Sequence, residues 1–136
     1  MNKQKGFTLI ELIVVIAIIA ILAAIVLVNV TAYINKSKDA SIKANIDTII
    51  TEAAVFMADD TLGKGKLTTF QASDTTYISA KTQIDAQDGT NSPTVTLNAN
   101  ADRLCISDIL PSTSDIYCKD TTGISSSGTC ASGVCP

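Results

Sequence analysis

The chain has 136 residues, a formal net charge of −3 and 46% hydrophobic residues, with no histidine and no tryptophan. This length gives room for one long helix and one small domain. The acidic balance argues against non-specific binding of nucleic acid, and we expect no specific nucleic-acid binding either. The sequence shows no nucleophile beside a base and no phosphate-binding loop, so we expect a protein that is not an enzyme.

The N-terminal segment combines a short basic start with a long apolar run. Lys3 and Lys5 precede it, and between Phe7 and Val28 only Thr8 and Glu11 are not apolar. About 20 apolar residues are enough for a helix to cross a bilayer. A secretory signal peptide has a shorter apolar core that ends in a cleavage motif, whereas this run continues into a helical pattern. We therefore predict a membrane-spanning helix.

Glu11 is the one charged residue inside that apolar run. A carboxylate near hydrocarbon costs about 2.5–3.5 kcal/mol on insertion scales and is expected to have a partner. The alternative is a plain signal anchor in which the acid, near the end of the helix, reaches the membrane interface.

The segment Lys5-Gly6-Phe7-Thr8-Leu9-Ile10-Glu11-Leu12 resembles the class III signal of type IV pilins and of the pseudopilins of type II secretion. The resemblance covers residues 1–30. It implies that a prepilin peptidase removes a leader, residues 1–6, by cleavage after Gly6 and then methylates the new amino group of Phe7. It also implies that Glu11 pairs with the amino group at Phe7 of a neighbouring subunit.

The resemblance further implies partners and a location. The partners are other copies of the chain, prepilin peptidase, the assembly machinery of the inner membrane and, before assembly, membrane lipid. The precursor is expected in the cytoplasmic membrane, and the assembled protein in a pilus at the cell surface. We place the N-terminus on the cytoplasmic side mainly because the cysteine-bearing half then lies outside. Because breaking a buried ion pair costs about 3–5 kcal/mol, the Glu11–Phe7 pair would fix the axial register between subunits.

The helical pattern continues beyond the apolar run. We assign residues 7–30 to a transmembrane and filament-core helix and residues 31–58 to an amphipathic helix. Its apolar positions fall at helical spacing and predict one buried face, formed by Ile42, Ile46, Ile49, Ile50, Ala53 and Phe56. Lys43 is spaced to pair with Asp39 and Asp47 along the helix.

Residues 59–136 are predicted to form a globular, β-rich head that begins where Gly63 and Gly65 end the helix. Turn-forming residues separate short runs that we predict as strands, namely Lys66–Phe70, Thr76–Ser79, Thr94–Asn98, Arg103–Ser107 and Asp115–Lys119. The predicted fold class is α+β, with the long N-terminal helix packed against a small antiparallel sheet.

Four cysteines, Cys105, Cys118, Cys130 and Cys135, lie in the last third of the chain. In an exported small domain such a cluster favours disulfides, which would fasten the Ser/Gly-rich tail. Four cysteines allow three pairings, and we expect Cys105–Cys118 and Cys130–Cys135. A zinc site is the alternative, but the sequence has no Cys-x-x-Cys pair and no histidine.

We expect no cofactor and no metal. Calcium is the one candidate, because major pseudopilins hold it with loop oxygens and this chain has several acids in segments that we predict to be loops. No spacing typical of a calcium loop links these acids, which are Asp85, Asp88, Asp102, Asp108 and Asp115.

The sequence favours a structural subunit of a type IV pilus-like filament that serves adhesion, twitching motility or DNA uptake. One alternative is a major pseudopilin of a type II secretion system. Another is a monomeric, membrane-tethered binding module that uses its cysteine-rich end. A fourth possibility keeps the family but makes the chain a low-copy priming subunit.

Overall fold

The computed structural model describes residues 6–58, 66–89, 92–100 and 102–136. These residues form three helices and four strands in the order α1 (Leu9–Ala58), α2 (Lys66–Ser73), α3 (Thr75–Asp88), β1 (Thr94–Leu97), β2 (Leu104–Ile109), β3 (Ile116–Asp120) and β4 (Ser125–Ser127). The chain divides into two compact units, Met1–Ile34 and Asn35–Pro136, and α1 contributes residues to both.

The first unit is the apolar part of α1. It contains neither proline nor glycine after Gly6, so no residue interrupts the helical hydrogen bonding. Among the described residues, α1 is the one helix that is long and apolar enough to cross a membrane, a property that signal sequences share. The predicted helix is confirmed for this segment.

The second unit has a core built on the C-terminal half of α1. The predicted apolar face is confirmed: Ile42, Ile46, Ile49 and Ala53 are fully buried. They pack with side chains from α2, α3 and β2, namely Leu67, Phe70, Tyr77, Ala80, Ile84, Leu104 and Ile106. The α+β arrangement, a long helix packed against a small antiparallel sheet, is therefore confirmed.

The four strands form an antiparallel meander in the order β1-β2-β3-β4. Side chains alternate between the two faces of a strand. On β2, Leu104 and Ile106 accordingly enter the helix-side core, whereas Cys105 belongs to a separate buried cluster of cysteines. The predicted strands at Thr94–Asn98, Arg103–Ser107 and Asp115–Lys119 are confirmed, with their ends shifted by one or two residues.

Two predicted strands are wrong. Lys66–Phe70 lies in α2 and Thr76–Ser79 lies in α3. The threonines there favour strands, but tertiary burial at helical spacing decides the structure: Tyr77, Ala80 and Ile84 are buried along one face of α3. Asp74 caps α3 by accepting a hydrogen bond from the Tyr77 amide at 2.8 Å. The helix end predicted at Gly63–Gly65 lies outside the described residues.

Two charged residues of α1, Lys43 and Asp47, contact side chains of β3. Asp47 forms an ion pair with Lys119 of β3 at 2.6 Å. The Lys43 ammonium lies 5.2 Å from the centroid of the Tyr117 ring. Within the described part of the chain, no ion pair joins Lys43 to either acid: Lys43 and Asp47 contact β3 instead, and Asp39 accepts hydrogen bonds from Ser112, in the loop between β2 and β3.

Candidate functional site

The N-terminus of α1 is closed by a reciprocal pair of residues, Thr8 and Glu11. Glu11 Oε2 accepts hydrogen bonds from the Thr8 amide at 2.9 Å and from the Thr8 hydroxyl at 2.7 Å. In return the Glu11 amide donates to Thr8 Oγ1 at 3.3 Å. This is a capping box, which satisfies amides that have no partner inside the helix. The acid that the sequence singled out therefore has a partner within its own chain.

The predicted cleavage site lies immediately before this cap. Gly6 and Phe7 precede the first residue of α1 and are not part of regular secondary structure. Phe7 is 82% exposed, and among the described residues no atom beyond the chain neighbours of Gly6 lies within 4 Å of the position where a Cβ would sit on Gly6. Gly6 and Phe7 are thus exposed on the side of the predicted cleavage site that the structure describes. The leader residues before Gly6 lie outside the described residues.

The apolar part of α1 exposes large side chains all around the helix. Between residues 9 and 34 the only charged residue is Glu11. The exposed large apolar side chains of this segment, which we call the apolar surface, are Leu9, Ile10, Leu12, Ile13, Val14, Val15, Ile16, Ile18, Ile19, Ile21, Leu22, Ile25, Val26, Leu27, Val30, Tyr33 and Ile34. A soluble monomer rarely exposes so much apolar surface, so this segment must be covered by lipid or protein.

The four cysteines form two disulfides, Cys105–Cys130 and Cys118–Cys135. The pairing that we predicted is wrong, because each strand cysteine bonds to a tail cysteine. In the register of β2 and β3, Cys105 lies opposite Asp120 and Cys118 lies opposite Ser107, so the two strand cysteines are diagonal neighbours and do not face each other directly.

The tail that carries Cys130 and Cys135 is also held by hydrogen bonds. The Cys130 amide donates to Ser107 Oγ at 3.3 Å, and the Cys135 amide donates to Asp120 Oδ2 at 3.0 Å. Burial opposes ionisation of the Asp120 carboxyl, but hydrogen bonds from Thr122, Cys135 and Ile124 outweigh it and hold its pKa below the ordinary value. Sequence inspection missed Asp120, because nothing in the pattern marks it as buried.

The acids considered for calcium are placed differently from the prediction. Asp85 and Asp88 lie in α3 and Asp108 lies in β2, so these three are not loop residues. Burial raises the pKa of Asp108 to about 7; a hydrogen bond from the Ile109 amide opposes the shift, and the Asp88 and Asp85 carboxylates add to it. Within the described residues, the side chains that converge closely enough to share one ion are cysteines, not acids.

The comparisons with known proteins bear on the N-terminal segment. Residues 1–27 match the model of the prokaryotic N-terminal methylation motif. No curated protein and no solved structure matches the chain. The match covers Gly6, Phe7, Thr8 and Glu11, the residues of the predicted cleavage site and the helix cap described above. The chain therefore carries the class III signal that prepilin peptidase processes, consistent with the type IV pilin and pseudopilin family.

Proposed function

We propose that this protein is the structural subunit of a type IV pilus-like filament. Prepilin peptidase cleaves it after Gly6 and methylates Phe7, and the processed chain polymerises through the N-terminal part of α1. The head then faces outward and serves adhesion, twitching motility or DNA uptake. No bound cofactor is needed for this role.

The observation that carries the proposal is the apolar surface together with the methylation motif at its start. Lipid covers this surface in the precursor, and neighbouring copies of the same helix cover it in the filament. Because both environments are apolar, the transfer from membrane to filament costs little hydrophobic burial. A soluble binding protein would leave this apolar surface exposed to water, which is unfavourable.

Glu11 fixes the axial position of each subunit relative to its neighbour in the filament. In the precursor its carboxylate is held by Thr8, as the hydrogen bonds at 2.9 and 2.7 Å indicate. Cleavage after Gly6 creates an ammonium group at Phe7, and in the filament the Glu11 carboxylate of a neighbouring copy pairs with it. The rest of the apolar surface makes dispersion contacts that tolerate sliding, so the ion pair selects one axial position.

The test separates the ion pair from the helix cap. Glutamine at position 11 keeps an oxygen that can accept from Thr8, as in other capping boxes, but it removes the charge. We expect Glu11→Gln to enter the membrane and to be cleaved after Gly6 normally, while the yield of sheared surface fibres falls strongly. Glu11→Ala should show the same loss of fibres. Normal fibre yield from the glutamine variant would contradict the assembly mechanism.

A second candidate function is a pseudopilin of a type II secretion system, which the same motif supports. The two roles predict different defects in cells from which this protein has been deleted. Loss of surface fibres, adhesion or twitching with intact protein secretion favours the pilus subunit. Loss of secretion with intact surface fibres favours the pseudopilin. A monomeric membrane-tethered module would instead remain in the membrane fraction with an uncleaved N-terminus.

A further inference from the structure

Two lysines follow closely after the apolar part of α1. Residues 12–34 carry no charge, and Lys36 and Lys38 are the first basic residues after them. At 1.5 Å per residue the uncharged stretch rises about 35 Å, slightly more than the hydrocarbon core of a bilayer, which is about 30 Å thick. When this stretch spans the membrane, both lysines therefore lie outside the hydrocarbon, at the level of the lipid headgroups. We call Lys36 and Lys38 the lysine collar.

We propose that the lysine collar binds the phosphate groups of anionic phospholipids in the leaflet on the side where the head lies. The inference rests on the proposed function, in which the precursor spans the membrane before assembly. The partner is a lipid whose headgroup carries a net negative charge, such as phosphatidylglycerol, and not a zwitterionic lipid. The contact would hold the head end of the spanning stretch at the membrane surface until the chain leaves the bilayer.

The ammonium groups of the collar are available for a lipid. Lys36 is exposed and Lys38 is half-buried. Within the described part of the chain, neither lysine forms an ion pair or a hydrogen bond. The acid next to them in the chain, Asp39, is buried and accepts hydrogen bonds from Ser112. Its carboxylate is therefore bound inside the second unit, and the collar is left to pair with an anion from outside the chain.

The spacing of the two lysines fits separate lipids around a helix. With 3.6 residues per turn, positions 36 and 38 lie about 200° apart around the axis. Each ammonium can therefore meet a different headgroup, and the flexible lysine stem lets it reach the phosphate. Tyr33, near the end of the apolar surface, is 72% exposed and belongs to a residue type that is enriched at membrane interfaces.

The charge of the remaining head distinguishes the collar from other surface lysines. Residues 39–136 contain twelve acidic and six basic residues. An anionic membrane surface therefore repels this part of the chain, whereas it attracts the collar. The charge complementarity favours a contact with lipid that is confined to the start of the second unit.

The test uses the full chain in phosphatidylcholine vesicles that contain a trace of spin-labelled lipid. Electron paramagnetic resonance compares how strongly spin-labelled phosphatidylglycerol and spin-labelled phosphatidylcholine associate with the chain. We expect phosphatidylglycerol to be preferred, and the double variant Lys36→Gln/Lys38→Gln to lower that preference by about fivefold, the attraction of one lysine near an anionic surface. Lys3 and Lys5 are present in both chains, so the difference between the chains belongs to the collar.

A matched double variant controls for net charge. Lys81→Gln/Lys119→Gln removes the same charge from other parts of the head, and it should keep the lipid preference of the parent chain. Circular dichroism should show that both double variants are folded. A collar variant that keeps the preference of the parent chain would overturn the proposal, and so would a control variant that loses as much as the collar variant.

Salt and soluble phosphate identify the kind of contact. About 1 M NaCl shortens the screening length to about 3 Å and should abolish the preference for phosphatidylglycerol. Inorganic phosphate at constant ionic strength should leave the preference unchanged, because two ammonium groups on opposite sides of a helix do not enclose one soluble anion. A preference that survives 1 M NaCl, or one that inorganic phosphate removes, would contradict binding to lipid headgroups.

These measurements depend neither on cleavage after Gly6 nor on polymerisation. A chain that prefers phosphatidylglycerol through the collar but forms no surface fibres would refute the proposed filament and support the lipid contact. Normal fibres from a chain without this preference would do the reverse.

Discussion

Asp39 of α1 and Ser112, in the loop between β2 and β3, are joined by two hydrogen bonds across 73 positions of sequence. The Ser112 amide donates to Asp39 Oδ1 at 3.1 Å, and the Ser112 hydroxyl donates to Asp39 Oδ2. The Asp39 side chain is buried, so its carboxylate depends on these donors in place of water. This contact fastens the sheet to the long helix within the second unit.

We expect Asp39→Ala to destabilise the second unit by about 1–3 kcal/mol, the usual cost of leaving buried hydrogen-bonding groups without partners. The matched control is Asp47→Ala, which removes the ion pair to Lys119. Because the Asp47 side chain is 51% exposed, this loss should cost less than about 1 kcal/mol. Thermal unfolding of both variants shows which substitution lowers the stability more. A larger loss from the Asp47 variant would contradict the assignment.

The helix cap gives a second prediction. Thr8→Ala removes the hydroxyl that serves Glu11, whereas Thr8→Ser keeps it. Loss of an N-cap costs about 1 kcal/mol, which corresponds to roughly fivefold faster opening of the first turn. Amide hydrogen exchange at Glu11 should therefore accelerate in the alanine variant and stay close to the parent rate in the serine variant. Equal rates in all three chains would show that the cap does not hold the turn.

The buried carboxyl of Asp108 makes stability depend on pH. Its folded-state pKa is about 7 and its ordinary value is 3.8, so between these values the folded chain holds a proton that the unfolded chain has released. Stability from this group is therefore complete below about pH 4 and is lost as pH rises through 7. We expect the melting temperature to fall from pH 5 to pH 8.

Asp108→Asn should flatten that pH dependence and stabilise the chain at pH 8 by about 1–3 kcal/mol, since the buried charge is gone. Asp115→Asn, a change at an exposed acid, serves as the control and should keep the parent profile. If the melting temperature of the Asp108 variant still falls between pH 5 and pH 8, another titratable group causes the pH dependence.

Alanine substitutions at two glycines distinguish the cost of backbone strain from the cost of a steric clash. Gly133 and Gly123 both have positive φ angles, +78° and +89°. A Cβ on Gly133 would lie 2.7 Å from the Asn98 amide nitrogen, whereas a Cβ on Gly123 would meet no atom of the described residues within 4 Å beyond its chain neighbours. Both alanine variants pay the strain of a left-handed residue, about 1 kcal/mol. Gly133→Ala should cost more, because the tail must move away from the loop between β1 and β2. Equal melting temperatures would contradict this placement of the tail.

The parts of the fold that the sequence predicted are those with one dominant local signal. The apolar run and the regular spacing from Ile42 to Ala53 gave α1 and its buried face, since helical periodicity reports burial directly. Likewise, the spacing of the motif residues Gly6, Phe7 and Glu11 could be recognised from the sequence because they lie within six consecutive positions. The role of Thr8 as the acceptor and donor for Glu11 was missed, although Thr-x-x-Glu is itself a sequence signature of a helix cap.

The parts that the sequence did not predict depend on contacts between distant residues. The threonine-rich segment around Thr76 favours a strand locally, but burial of Tyr77 and Ile84 against α1 makes it a helix. The disulfide pairing depends on where the tail lies against β2 and β3, because Cys105 and Cys118 each bond to a tail cysteine. Neither register nor burial of a lone acid such as Asp108 is encoded in local composition.

The most direct test of the proposed function is the mass of the N-terminal peptide of subunits taken from sheared surface fibres. The account predicts that this peptide begins with N-methylated Phe7, so that an amino group is present for Glu11 of the next subunit. Fibres built from this chain with residues 1–6 still attached would contradict it, because no free amine would then exist at Phe7.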